Sequence, residues 1–546
     1  MAVDLEHLPA DVEQLRHLVA DLVSEHQRDL ADRDRSYQEL REQYELLRQM
    51  YFGRSSEKLT AQDIRQMHLF NETESGFEEL HALRSEQAAT VSVAQHVRKK
   101  PGRKPLADHL PREVVLHDLT EENRRCPCCG KQRPLVTEET SEEAELIPAR
   151  VKVLRHVRRV YGPCSCEAFS SSGEAPMVRS PMPPRMIPGS IAGPGLLAYV
   201  LTAKFVDGLP FYRQETIFAR LGIEVARATL CSWAIAVGRA VNPLIELLWE
   251  KLLESPLVHM DETTLQVLHE PGRPATTQSY MWVNVGSIEQ PEPLPPKRIV
   301  LYHYHPTRSG DVPLAVLKSY EGYLQTDAFD GYNEIGKQLA GKHVGCWAHA
   351  RRLFHDASKI TKKAGSAEVA LAFIAEMYRI EKTLREPLEK GKISREEFRQ
   401  KRAEQVRPIL AHFRSWIEER IDQVPPKTAL GKALHYPLDD WPRLERYIEA
   451  WFITPDNNAA ERAIRPFVMG RKAWLFSDTP TGAHASAAIY SIVETAKANG
   501  LEPYHYLRFL FTKLPAATNR EDFARLLPTT LEPKDLLDFE SKGQPP

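Results

Sequence analysis

A chain of 546 residues, 42% hydrophobic and 27% charged, has the composition of an ordinary globular protein of roughly three or four domains. Its net charge of −2 excludes a chain-wide attraction to polyanions, so any affinity for nucleic acid has to come from local patches. No apolar run approaches the ~18 residues that span a bilayer. The acidic start MAVDLEHLPADVEQL lacks a signal-peptide core, so the expectation is a cytoplasmic protein with no membrane partner and few disulfides.

In chain order, residues 1–60 open with a heptad pattern. Leu5, Leu8, Val12, Leu15, Val19 and Leu22 alternate at spacings of 3 and 4; after a slip near Leu30 the pattern resumes with Tyr37, Leu40, Tyr44, Leu47 and Tyr51. Such a seam has to bury itself against something, which predicts a coiled coil and a homo-oligomer. Residues 61–110 form a linker ending in RKKPGRKPL, where Arg98, Lys99, Lys100, Arg103 and Lys104 flank a Pro-Gly turn like an AT-hook. In the module at 111–180, Cys126 and Cys129 form a C-x-x-C knuckle and Cys164 and Cys166 a tighter C-x-C pair. Five of the seven cysteines fall in this stretch, which predicts a structural, tetrahedral zinc site with Cys128 as an extra thiol.

Residues 181–255 are helical, and ETIFARLGIEVARATLCSWAI has helix-turn-helix layout, with Gly222 at the turn and Arg227, Thr229 and Ser232 on the exposed face of the second helix. The segment 256–361 changes to three consecutive strands followed by alternating helices and strands, a mixed sheet. Its strands are read as LVHMDETTLQVL, SYMWVNVGS, RIVLYHYHP, GYLQTDAF and KHVGCWAHA. Asp261 and Glu262 are adjacent on the first, so they point to opposite faces. Asp327 falls inside the fourth. Residues 362–450 read as an all-helical insertion; 451–515 resume with a proline, three capping residues Asp456 to Asn458, a helix carrying Glu461 in its first turns, and a helical hairpin; 516–546 are a tail. The expected fold is multidomain α+β.

Asp261, Asp327 and Glu461 come from three separate elements. Hard oxygen ligands with open positions suit Mg²⁺, and two such ions ~4 Å apart support in-line phosphoryl displacement. Arg462 and Arg465 flank the third acid and suit phosphate oxygens, with Arg471 and Lys472 further along the same helix. On the residues alone other Asp/Asp/Glu triples compete, because Glu262, Asp311, Asp330 and Glu494 lie nearby in the sequence.

HMDETTLQV, LQTDAFDGYN, CWAHARRLFHD and above all NNAAERAIRPFVMGRKAWLF resemble transposases of the insertion sequence 66 family, as do FGRSSEKL, CPCCG, AGPGLLAYVLTAKFVDGLPFYRQE and IYSIVETAKANGLEPYHYL. The resemblance runs from about residue 40 to 515. It implies a ribonuclease-H-like catalytic domain in which Asp261, Asp327 and Glu461 hold two Mg²⁺ ions, with 362–450 inserted before the third acid. It implies double-stranded DNA as partner, both element ends and target, and hence a nucleoid-associated protein; members usually work with small accessory proteins encoded beside them. Cys346 and His349 form a C-x-x-H resembling a motif of several such transposase groups, which implies a supporting role beside the acids. Two other functions stay open: a DNA-binding regulator with silent acids, and a nuclease that does not join DNA.

Overall fold

The computed structural model describes residues 177–291, 294–360 and 365–543, the stretch 150–161, and scattered positions nearer the N-terminus. The chain divides into two compact units, of which Leu80–Arg179 is one. In that unit Val160–Tyr161 pairs antiparallel with Val178–Arg179. The basic segment Arg98 to Lys104 and the cysteines Cys126, Cys164 and Cys166 lie outside the described residues; Cys129 is described and exposed. The described residues between Glu13 and Tyr44 are helical, and Val19, Leu30, Tyr37, Leu40 and Tyr44 of the expected seam are exposed.

From Ser180 onward the other unit has four helices first: α1 (Pro194–Phe205), α2 (Phe211–Arg220), α3 (Arg227–Ala240) and α4 (Asn242–Leu253). Gly222 takes φ +83 between α2 and α3, a conformation that penalises any residue with a Cβ. Helix α3 has no capping side chain of its own; the first amide, Arg227 N–H, donates instead to Glu215 of α2 at 3.2 Å, which sets the angle of the pair.

The sheet follows, with β1 (Leu257–Gln266), β2 (Gln278–Ile288), β3 (Lys297–His305), β4 (Tyr323–Gln325) and β5 (His343–Val344). Spatial order is β3-β2-β1-β4-β5. The first three are antiparallel neighbours, while β1–β4 and β4–β5 are parallel, each reached through helical connections. This is the mixed sheet that the alternation of patterns predicts. Two of the expected strands are shorter. GYLQTDAF stops at Gln325, because the Asp327 carboxylate accepts from Phe329 N–H at 3.1 Å and turns the chain; Asp327 therefore lies just beyond the strand, not in it. KHVGCWAHA is extended only at His343 and Val344; past them Gly345 N–H leaves the sheet for Arg443 O and helix α5 (Trp347–Ile360) begins.

Helices α6 (Ser366–Glu389), α7 (Arg395–Ile421) and α8 (Ala429–Asp439) form the insertion and share a second core with α5, around Trp347, Phe413 and Trp441. The chain then returns as α9 (Asn458–Trp474), α10 (Pro480–Ala498) and α11 (Pro503–Lys513). Helix α9 packs on β1 and β2, and α10 on β3. Helix α10 also closes the open edge of the sheet. Ser491, Thr495 and Asn499 stand at successive four-residue steps and hydrogen-bond the backbone of Tyr302, Val300 and Arg298, at successive two-residue steps, over 2.7–3.4 Å. The periods match because four helical residues rise about 6 Å and two strand residues about 6.6 Å. A helix thus takes the place of a sixth strand and leaves β3 no free edge for another chain. No single helix among the described residues is long and apolar enough to cross a membrane.

Candidate active site

The elements bring the expected acids together. Asp261 sits midway along β1, Asp327 in the turn after the neighbouring β4, and Glu461 in the first turn of α9, which crosses β1. Glu461 is 3% exposed. Burial, then the charges of Glu262, Asp327 and Glu461, push the Asp261 carboxyl well above the usual carboxylate range. Glu461 is pushed up to about 8 by burial, opposed by the Arg352 guanidinium, with Asp456 and Asp327 raising it further.

Asp261 and Glu262 differ in what their oxygens touch. The second carboxylate accepts from Arg308 at 2.5 Å and from the Tyr332 hydroxyl, and the Arg308 guanidinium lies 3.6 Å over the Phe329 ring. Burial and Asp327 push Glu262 up to about 7, against the opposing pull of Arg308. Among the described residues Asp261 accepts only a backbone amide, that of Glu262 at 2.8 Å, and buried Glu461 Oε1 has no hydrogen-bond partner. Oxygens left bare while their neighbours' charges repel are what a hard divalent cation would compensate, although the donor atoms of Asp261, Asp327 and Glu461 do not all lie within 4.8 Å of one another.

Asn457, expected as a helix cap, does something else. Its side chain makes no capping bond to α9; Nδ2 donates to Met260 O at 2.9 Å and Oδ1 accepts from His259 Nδ1 at 3.0 Å. Its backbone amide meets Cys346 Sγ at 3.2 Å. One residue therefore ties the strand of the first acid, the helix of the third and the C-x-x-H segment. Burial holds His259 down to about 4, against the Asn457 bond, which raises it, so the ring is neutral near pH 7 and donates from Nδ1. His349 Nδ1 stands 3.7 Å from Glu461 Oε1, and Cys346, His349 and Glu461 place one donor atom each within 4.8 Å of one another. Burial lowers His349 to about 4 and raises the Cys346 thiol well above its ordinary range, so both are uncharged near neutrality.

The remaining expected contacts separate. Arg227, Thr229 and Ser232 are exposed on α3, and Arg462 and Arg465 are exposed on α9, with Lys472 half-buried. Arg471 is not placed for DNA: it is buried and donates to Thr263 Oγ1 at 3.3 Å, to Thr264 Oγ1 at 2.9 Å and to Thr264 O, so its charge is engaged on β1. Sequence reasoning missed Arg308 and Tyr332 because nothing local marks which distant cation or phenol meets Glu262.

The raised carboxyls set a pH dependence. A carboxyl in an unfolded chain titrates near ~4.3; in the fold Glu262 and Glu461 titrate near 7 and 8. Their protonated forms favour the fold, so the contribution is complete below pH ~4 and is lost as pH rises through the folded values. In chelator the melting temperature should fall between pH 5 and 9. Excess divalent cation should restore most of that loss at pH 8–9 and do little at pH 5. A melting temperature flat across this range in chelator would contradict the clustered acids; differential scanning calorimetry reads both.

Comparison with known families gives matches to the transposase IS66 family over residues 189–485, the zinc-finger binding domain of transposase IS66 over 123–167, a model described as transposase C of IS166 homeodomain over 39–115, and the IS66 C-terminal element over 491–529. The chain is similar to Uncharacterized protein y4qI of Sinorhizobium fredii, 29% identical over 497 residues that cover 89% of this chain and 88% of that one. It is equally similar to Uncharacterized protein y4jD of the same organism, 29% identical over 550 residues, 97% and 98% of the two chains.

Proposed function

Because the chain belongs to the IS66 transposase family, we propose that it binds the terminal inverted repeats of its own insertion sequence and cuts and joins DNA there through Asp261, Asp327 and Glu461. The observation that carries this reading is that acids from β1, the turn after β4 and the start of α9 lie near enough for the charges of Asp327 and Glu461 both to act on Asp261, with Glu461 Oε1 bare in a buried position. A sheet of three antiparallel strands followed by two parallel ones, with the acids on the first strand, after the fourth and on a crossing helix, supports a ribonuclease-H-like catalytic domain.

The three carboxylates would hold Mg²⁺, two ions in the full site, which when bound activates the attacking oxygen and stabilises the leaving one. The chain's own residues do the rest. Asn457 fixes the first and third acids relative to each other, and the Glu262–Arg308–Tyr332 cluster fixes the turn of the second. His349, neutral, sits beside Glu461, 3.7 Å from its Oε1 and not hydrogen-bonded to it. Arg462 and Arg465 offer cations to the phosphates next to the cut, and α3 enters the major groove with Arg227, Thr229 and Ser232. Water hydrolyses the phosphodiester at the element's end, and the released 3′-hydroxyl then attacks target DNA. Cys126, Cys129, Cys164 and Cys166 would hold a structural zinc, the N-terminal seam would pair copies so that two ends are handled together, and the basic segment at Arg98 to Lys104 would add minor-groove contacts.

The test is the full chain on a duplex carrying one end of the element that encodes it, together with supercoiled plasmid. Nicking at the element's end and joined products are expected in Mg²⁺ and neither in chelator. Binding with no nick in Mg²⁺ would leave a DNA-binding regulator; nicks without joined products would leave a nuclease.

A further inference from the structure

Helix α9 ends on an unusual turn. Leu475 has φ +68 and ψ −52, and Phe476 N–H donates back to Trp474 O at 2.9 Å. That is a γ-turn of the rare hand, strained for any residue with a Cβ and doubly so for a leucine. The strain yields no buried contact in return: Leu475 is 63% and Phe476 42% exposed. Both flanks are clamped. Before the turn, Trp474 packs on Phe467 and under the Lys204 ammonium of α1 at 5.2 Å. After it, Ser477 N–H donates to Gln266 O at 2.9 Å and Leu268 N–H to Ser477 O at 3.0 Å, extending β1. A rigid base therefore presents an apolar tip.

The surroundings of the tip select a polyanion. Arg462, Arg465, Met469 and Lys472 recur at spacings of 3, 4 and 3, so they form one stripe along α9 from the turn that carries Glu461 to the turn that carries Leu475. Arg462, Arg465 and Met469 are exposed. Past the turn the chain runs into α10, which packs on α3 of the helix-turn-helix, with Gly238 of α3 against Ala485 of α10. A cationic track with an apolar point at its end, beside a helix built to enter a groove, matches proteins that wedge aliphatic or aromatic side chains between base pairs.

We propose that Leu475 and Phe476 form a wedge that enters the base stack of the element-end duplex, between the stretch read by α3 and the phosphate that is cut. This inference rests on the DNA transposase reading. Fourteen residues of helix separate Glu461 from Leu475, about 21 Å at 1.5 Å per residue, so the opened step lies about six base pairs from the cut phosphate at ~3.4 Å per pair.

The experiment uses the full chain and an element-end duplex with 2-aminopurine placed at successive positions. Wild type should raise the fluorescence at one step in that window, and the double variant Leu475→Gly, Phe476→Ala should lose the rise while still shifting the duplex in a gel, because the cationic stripe is untouched. Leu475→Gly alone should melt no lower than wild type, since glycine accepts a positive φ, which separates loss of the wedge from misfolding. A rise that persists in the double variant overturns the wedge. Binding by wild type with no rise at any position also overturns it and leaves the DNA reading standing. A chain that does not bind the duplex overturns both.

Discussion

On the proposed function, Asp261→Asn should abolish strand cleavage and joining, a loss of about 10³-fold or more, and leave binding of the element's end intact. The reason is chemical. The amide keeps the size of the carboxylate and its oxygen still accepts from Glu262 N–H, but it brings no negative charge to a divalent cation. The same change should make the chelated protein more stable, by about 2–4 °C in melting temperature, because it removes one of several neighbouring acids that repel one another. Opposite signs in catalysis and stability identify a residue kept for its chemistry. Retained strand transfer by the variant would sink the assignment of the three acids.

One residue along, the expected signs reverse. Glu262→Ala should lower the melting temperature by about 5–10 °C, from a loss of about 2–4 kcal/mol. Glu262 is almost wholly buried, and its removal strands Arg308 and Tyr332, both directed at it. Because Arg308 is itself 37% exposed and keeps its place on the Phe329 ring, the cost stays below that of a fully buried pair. Phe329 and Tyr332 belong to the turn that carries Asp327, so cleavage should fall as well. Glu262→Gln, which can still accept from both partners, should recover most of the stability. A Glu262→Ala protein that melts like wild type would show that the cluster holds nothing in place. Calorimetry beside a nicking assay reads the two effects together.

These adjacent acids show how far sequence reasoning reaches. The alternation of side chains along a strand is enough to send Asp261 and Glu262 to opposite faces, and the run of β-branched and apolar residues around them is enough to identify the strand. The order of the sheet's elements, the helix-turn-helix with its glycine and the helical insertion are legible for the same reason: each is written in periodicity and turn chemistry over a few neighbouring residues. The ends of β4 and β5 are not legible. What stops them is a carboxylate turning onto a backbone amide at Phe329 and an amide of Gly345 captured by Arg443, ninety-eight residues further on.

Arg471 makes the same point. It stands in a basic run that reads as a phosphate contact, and a helix wheel alone would leave it plausible. Only the approach of α9 to β1 turns it inward onto Thr263 and Thr264. Asn457 reads as a helix cap by type and position, yet its side chain bridges His259 and Met260.

Local pattern was enough to show which acids were available, to place Asp261 on its strand and Glu461 on its helix, and to mark the family to which the chain belongs. The tertiary structure decided which of those acids lack partners and which are satisfied, and that a helix closes the sheet edge. It also decided that a strained leucine stands at the end of the cationic stripe. The division follows from range. Periodicity and turn preference act between near neighbours, whereas burial, charge repulsion and the partner of a buried oxygen depend on residues tens to hundreds of positions away.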